Sequence, residues 1–283
     1  MIPEPQRTYV LELLTTLGPA ADDFVLAGAQ AMKFVLPQAR GTKDFDFVLD
    51  AIRLRVQETS IAAKLRELGY TPVEGAHNFQ FQKSIPGSAE TMRIEFLAPE
   101  EHSRPNDFRV DIQDGVHARA CTGGTIALVE SDPHQISGTL PHGAAVSANL
   151  RVARPHALVM LKCLAMDERY RNVRRPAQAE HDRDEARVHA ADIIAIVSVQ
   201  LDLLNFQSDF DRQFGVDPDL GTRVRGIAQV YFRTETAPGF LLYEEFLVAN
   251  SPAGDSDQRK AVASELHRAH TLMRCLLPRT ETF

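Results

Sequence analysis

Asp44 and Asp46 stand two residues apart in the run Arg40-Gly41-Thr42-Lys43-Asp44-Phe45-Asp46-Phe47. Alternate side chains of a strand share a face, so this D-x-D places both carboxylates together and turns Phe45 and Phe47 the other way. Two carboxylates held side by side on a rigid strand repel one another unless a cation lies between them. Taken alone, the pattern reads first as the polar face of an exposed strand. Later acidic residues shift the balance towards a metal site. In TMRIEFL, 91–97, Ile94 and Phe96 take the apolar face and Glu95 the polar one, beside Arg93. In FRVDIQ, 108–113, Asp111 does the same. Glu95 and Asp111 therefore compete to be the third carboxylate, with Glu95 preferred as the nearer in sequence.

The elements that position these residues follow from periodicity and punctuation. Residues 6–17 pattern as a short amphipathic helix ending at Gly18. An apolar strand is expected over 24–27, then Gly28, then a helix over 29–35 with Pro37 beyond it. A glycine between strand and helix lets backbone amides approach an anion, and a helix N-terminus favours phosphate there. After the D-x-D strand, helical spacing of Ile61, Leu65 and Leu68 predicts a helix over 53–68, stopped by Gly69. Strands are expected over 78–83, 91–97 and 108–113, with a β-rich stretch at 125–130 and 146–153. From Pro155 the pattern turns helical: 155–169, then a basic polar loop, then 188–204, then mainly helix to the end. The predicted division is 1–153 and 154–283.

Composition sets outer limits. The chain has 283 residues, 44% hydrophobic and 24% charged, with a formal net charge of −7, which argues against a polyanion bound over the whole surface. Cys121, Cys163 and Cys275 form no C-x-x-C pair, so a zinc–cysteine site and a disulfide framework are not expected. The N-terminal residues lack the apolar run of a signal peptide, and no stretch is long enough to span a bilayer. A cytoplasmic protein with no membrane partner is the expectation.

Gly28 after the first strand, then Asp44 and Asp46, then Glu95, resemble the nucleotidyltransferase superfamily related to DNA polymerase β in its minimal form. More narrowly, Arg40, Thr42, Asp44 and Asp46 form an R-x-T-x-D-x-D run similar to the AbiEii-type and MenT-type nucleotidyltransferases of bacterial toxin–antitoxin pairs. Lys162, in ALVMLKCLAMDERYR, sits where such proteins carry a lysine in their helical half. The resemblance is detailed over residues 20–100 and looser over 155–195. It implies an α+β fold: a minimal mixed β-sheet flanked by helices, followed by a mainly helical C-terminal domain. It also implies transfer of a nucleotide from an NTP such as ATP to an acceptor hydroxyl on tRNA or protein, with Mg²⁺ as cofactor and a cognate antitoxin as partner. Asp44, Asp46 and Glu95 would be the catalytic and metal-binding carboxylates, Glu95 also helping to deprotonate the acceptor. Gly28, Ala29, Arg40, Thr42 and Lys162 would hold nucleotide and phosphate. The chain departs from the family pattern at Gly28-Ala29, where Gly-Ser or Gly-Gly is usual, and at Val188-His189 before Asp192, where Lys-Asp is common.

Other readings stay open. His181, Glu185, His189 and Asp192 fall at i, i+4, i+8 and i+11, a spacing that could line one helix face with metal ligands, although His181 and Asp182 read as lying in the polar stretch before the helix. A small-molecule adenylyltransferase of the aminoglycoside type would suit the net negative charge. The departure at Gly28-Ala29 would suit a nucleotide-binding regulatory protein with impaired catalysis.

Overall fold

The computed structural model describes residues 2–42, 44–88, 90–103, 107–171, 176–250 and 256–278. The chain divides into two compact units, Met1–Arg154 and Pro155–Phe283. The first contains α1 (Gln6–Leu17), β1 (Phe24–Ala27), α2 (Gly28–Ala31), β2 (Asp44–Leu49), α3 (Ala51–Arg55), α4 (Ile61–Glu67), β3 (Thr71–Pro72), β4 (Gln80–Ser84) and β5 (Thr91–Pro99). It continues with β6 (Arg109–Gln113), β7 (Val116–Cys121), α5 (Gly124–Val129), β8 (Ser131–Thr139) and β9 (Ala145–Ala153). The second contains α6 (Pro155–Arg171), α7 (Pro176–Ser198), α8 (Leu203–Val216), α9 (Pro218–Phe232), α10 (Pro238–Asn250) and α11 (Ser256–Met273). This is an α+β protein, a mixed sheet flanked by helices and followed by helices.

The sheet runs β3-β4-β5-β2-β1-β9-β8, with β7 on β5 and β6 on β7. β1 and β2 are antiparallel, and β2 and β5 are parallel. One face carries the aromatic residues of the alternating strands. Phe24, Phe45, Phe47 and Phe96 are fully buried, and Phe24 meets Phe47 at 5.7 Å and Phe96 at 5.6 Å, both edge-on. Each such side chain contributes about 1.5–3 kcal/mol by leaving water, so this face fixes the register of β2 and with it the face that Asp44 and Asp46 share.

Several elements differ from the sequence expectation. The helix expected over 53–68 is two helices, each with its own N-cap: Asp50 accepts from Arg53 N, and Ser60 from Ala63 N. The Gln113 carboxamide fills the break, donating to the carbonyls of Leu54 (2.8 Å) and Thr59 (3.1 Å) and accepting from Ile61 N (3.0 Å). Residues 124–129 are helix rather than strand. Gly123, at φ +78°, turns the chain, and an added Cβ on Gly124 would press to 3.0 Å on the Pro99 backbone, so the glycine lets α5 approach β5 closely at this point. The helix expected over 29–35 is one turn, Gly28–Ala31, followed by a 3-10 turn, Met32–Phe34.

In the second unit, α7 begins at Pro176 and takes in most of the stretch expected to be a polar loop; residues 172–175 of that loop lie outside the described residues. Asp182, Ala186 and Ala190 recur every four residues and are buried. Arg169 Nη1 of α6 donates to Asp182 Oδ1 at 2.8 Å. Small side chains and an ion pair, not an apolar stripe, hold this part of α7. No helix among the described residues is long and apolar enough to cross a membrane.

Candidate active site

β2 projects Asp44, which is exposed, and Asp46, which is half-buried, from the face opposite the phenylalanines. In the parallel pairing of β2 with β5, Asp46 is in register with Glu95; in the antiparallel pairing of β5 with β4, Glu95 is in register with Gln80. On the other side Asp46 is in register with Ala27. Ala27, Asp46, Glu95 and Gln80 therefore form one row across four strands.

Gly28 closes the row at the end of β1. Its φ of +62° lies in the left-handed region, and a Cβ there would overlap Asp46 Oδ2 and lie 2.7 Å from Asp46 Cγ. The glycine is required twice over, by backbone conformation and by the carboxylate that occupies the space beside it. With one turn of helix behind it, Gly28 adds little dipole; its contribution is room for Asp46. The loop before β2 is tied down from α2. The fully buried Gln30 donates through Nε2 to the Thr42 carbonyl at 2.8 Å, and Thr42 Oγ1 accepts from Asp44 N at 3.3 Å. Arg40 is exposed on that loop, and Ala29 is buried.

Both Glu95 oxygens have partners: Arg119 Nε donates to Oε1 at 2.6 Å and Gln80 Nε2 to Oε2 at 2.9 Å. Burial pulls the Arg119 guanidinium down, but the charge and hydrogen bond of Glu95, with smaller help from Cys121 and Asp46, outweigh it and hold Arg119 above its ordinary value. Asp111 lies elsewhere. It sits on β6, which pairs with β7 and not with β2 or β5, and its carboxylate faces His117 Nδ1 at 3.2 Å. Of the two contenders for third carboxylate, Glu95 is the one on the strand next to β2.

Lys162 and Asp192 belong to the helical unit. Lys162 Nζ donates to Asp192 Oδ2 at 2.6 Å, and both side chains are less than a tenth exposed. The four-residue series His181, Glu185, His189, Asp192 lies within α7, so His181 and Asp182 do not precede the helix. Asp192 faces Lys162, and His181 is exposed. Among the described residues no group of three or more His, Cys, Asp or Glu could hold a metal ion.

The model of the family described as nucleotidyl transferase AbiEii toxin, type IV toxin–antitoxin system, matches residues 12–219. The chain belongs to the AbiEii nucleotidyltransferase toxin family. The match takes in the carboxylate row, Gly28, the Arg40–Thr42 loop and the Lys162–Asp192 pair. Membership places the chain among the nucleotidyltransferase toxins of type IV systems. No curated protein and no solved structure matches the chain.

Three residues around this candidate site carry no decisive signal in the sequence. Arg119 and Gln80 bind Glu95, and Gln30 holds the loop. Gln80 alternates with Phe79 and Phe81, so its face was legible but its partner was not. Arg119 carried no signal, because β7 was not expected, and Gln30 sat in a stretch expected to be plain helix.

Proposed function

We propose that the chain transfers a nucleotide from a nucleoside triphosphate to an acceptor hydroxyl, with tRNA the first acceptor to test and a cognate antitoxin as its partner. The observation that carries this reading is the pair Asp44 and Asp46 on one strand face, with Glu95 in register beside Asp46 and Gly28 clearing space for the Asp46 carboxylate. Hard carboxylate oxygens at two positions suit Mg²⁺, which is commonly held through one or two carboxylates plus substrate phosphates rather than an all-protein cage. Mg²⁺ held by Asp44 and Asp46 would stabilise the charge that builds on the entering and leaving oxygens. In the transfer, the acceptor oxygen bonds to the α-phosphorus, the bond from that phosphorus to the bridging oxygen breaks, pyrophosphate leaves, and the hydroxyl proton passes to solvent. Gly28 and Ala29 line the phosphate side. Arg40 and Thr42 approach it from the loop, and the family resemblance also gives Lys162, which pairs with Asp192 in the helical unit, a phosphate-binding role.

The test is incubation of the purified chain with each labelled NTP, Mg²⁺ and total tRNA. Label is expected on RNA; none on RNA, protein or the enzyme itself sinks the reading. Asp46→Ala is expected to lower transfer by about 10²-fold or more while the chain keeps its melting temperature, because the change also relieves carboxylate repulsion. The net charge of −7 favours one competing acceptor, a cationic hydroxylated small molecule. Label on such a compound and none on RNA would select it.

A further inference from the structure

Arg119 has an arrangement that a purely structural arginine does not need. Guanidinium and carboxylate normally meet fork to fork, two parallel N–H···O bonds at a time. Here Glu95 accepts from Arg119 through Nε alone, on Oε1, while Oε2 accepts from Gln80 Nε2. The terminal nitrogens Nη1 and Nη2 carry four of the five guanidinium protons. Neither has a hydrogen-bond partner among the described residues. The Arg119 side chain is 41% exposed and that of Glu95 16% exposed, so the arginine is anchored without being sealed from solvent. Sheet topology sets its place. β7 takes over from β4 along β5, and Arg119 is in register with Leu97, two residues beyond Glu95 on the same face. A half-used fork therefore stands beside the row that contains Asp46 and Glu95.

We infer that Arg119 contacts the phosphates of the bound triphosphate through its terminal nitrogens, and that Glu95 is the positioning residue that aims it. The inference rests on the nucleotidyltransferase reading and deepens it. A guanidinium that is planar, always charged and weakly hydrated suits bidentate contact with phosphate oxygens. Anchoring it by Nε removes rotamer freedom before the ligand arrives, so less is lost on binding. Asp44 and Asp46 would otherwise repel a triphosphate, and a fixed positive group beside them offsets that. Under this assignment Glu95 acts through Arg119 rather than as a third metal ligand.

The experiment measures kcat and KM for ATP, together with calorimetric binding of ATP and of inorganic pyrophosphate, in the unaltered chain and four variants. Arg119→Ala is expected to weaken ATP and pyrophosphate about 10- to 100-fold, with kcat changed far less, and Arg119→Lys to recover part of the loss. Glu95→Gln keeps an oxygen that accepts from Arg119 Nε but loses the charge that helps hold it, so it is expected to raise KM for ATP less than Glu95→Ala does, with no change in the Mg²⁺ concentration needed. Glu95→Ala should resemble Arg119→Ala. If alanine variants unfold on heating more readily, Arg119→Lys and Glu95→Gln still decide. A Glu95→Gln variant that needs more Mg²⁺ and loses kcat makes Glu95 a metal ligand and overturns the inference. Unchanged phosphate affinity in Arg119→Ala overturns it while transfer by the unaltered chain keeps the enzymatic reading. Binding without any transfer does the reverse: the enzymatic reading falls, and the affinities alone judge Arg119. An unaltered chain that neither transfers nor binds sinks both.

Discussion

Two clusters of charge, one in each unit, handle ionised groups in opposite ways. On the sheet, Asp44, Asp46 and Glu95 line up from two neighbouring strands, outside the tightly buried interior, and Arg119 donates to Glu95. In the helical unit, Lys162 and Asp192 are buried and paired at 2.6 Å. Charge kept near water is screened there and stays available to a ligand. Charge matched in the interior is stable only as a pair, since removing either partner strands the other without water. Side chains of the same type thus give different responses to substitution, and that difference can be measured.

The largest effect is expected from Lys162→Met, which leaves Asp192 ionised and buried without its lysine. Breaking such a pair costs about 3–5 kcal/mol, against little or no loss of stability from Asp46→Ala. Replacing both as Lys162→Met with Asp192→Leu should restore most of that stability, as apolar replacement of buried pairs commonly does. Chemical unfolding of the four proteins checks this. Activity of the double variant sharpens the contrast: a refolded chain that still transfers label makes the pair structural, whereas stability regained without activity assigns Lys162 to the phosphates. Equal destabilisation by Asp46→Ala and Lys162→Met would erase the distinction.

Next comes Gly28→Ala, which sets the sheet cluster against its own backbone. A non-glycine residue in the left-handed region costs about 1–3 kcal/mol, and the new methyl must also displace the Asp46 carboxylate. Stability should fall by about that amount, and transfer should fall further than stability alone explains, because the displaced group belongs to the site. Unchanged activity in a folded Gly28→Ala protein would separate Asp46 from the chemistry.

How far the site could be read in advance follows the same division. Period-two alternation gave Asp44, Asp46 and Glu95 their faces, each within its own strand, but β2 and β5 are separated by helices and other strands, so the family resemblance rather than any local rule grouped these residues with Gly28. The expected helix over 53–68 failed because a distant side chain, Gln113, satisfies the backbone where the helix breaks. The first part of α7 was unreadable for a related reason. Its sequence EHDRDEAR is polar at nearly every position, and its burial comes from Ala186, Ala190 and the Arg169–Asp182 pair rather than from hydrophobic periodicity. Arg119 shows the limit most plainly: its meaning depends on β7 replacing β4 beside β5, a topological fact with no local signature.

The smallest effect tests whether exposure, rather than the helical unit as such, decides the response. Glu245 of α10 accepts from both Arg183 and Arg187 of α7, at 2.7 Å from Arg187 Nε, and is about one-third exposed (34%). The hydrogen bond from Arg183, helped by Arg187 and opposed by burial, holds its carboxyl below the ordinary glutamate value of 4.5. A carboxyl lowered on folding favours the folded state when ionised. Its contribution is therefore full above pH 4.5 and is lost as the pH falls through the lower folded value. Solvent screening keeps such a pair at or below about 1 kcal/mol, so Glu245→Gln should lower the melting temperature at pH 7 by no more than about 2–4 °C. The same variant should lose less than the unaltered chain between neutral pH and pH values below that of free glutamate. Melting curves across that range, at low and high salt, give the answer. A loss as large as that of Lys162→Met would mean that this network, despite its access to water, behaves as a buried pair, and burial would no longer be what separates the two clusters.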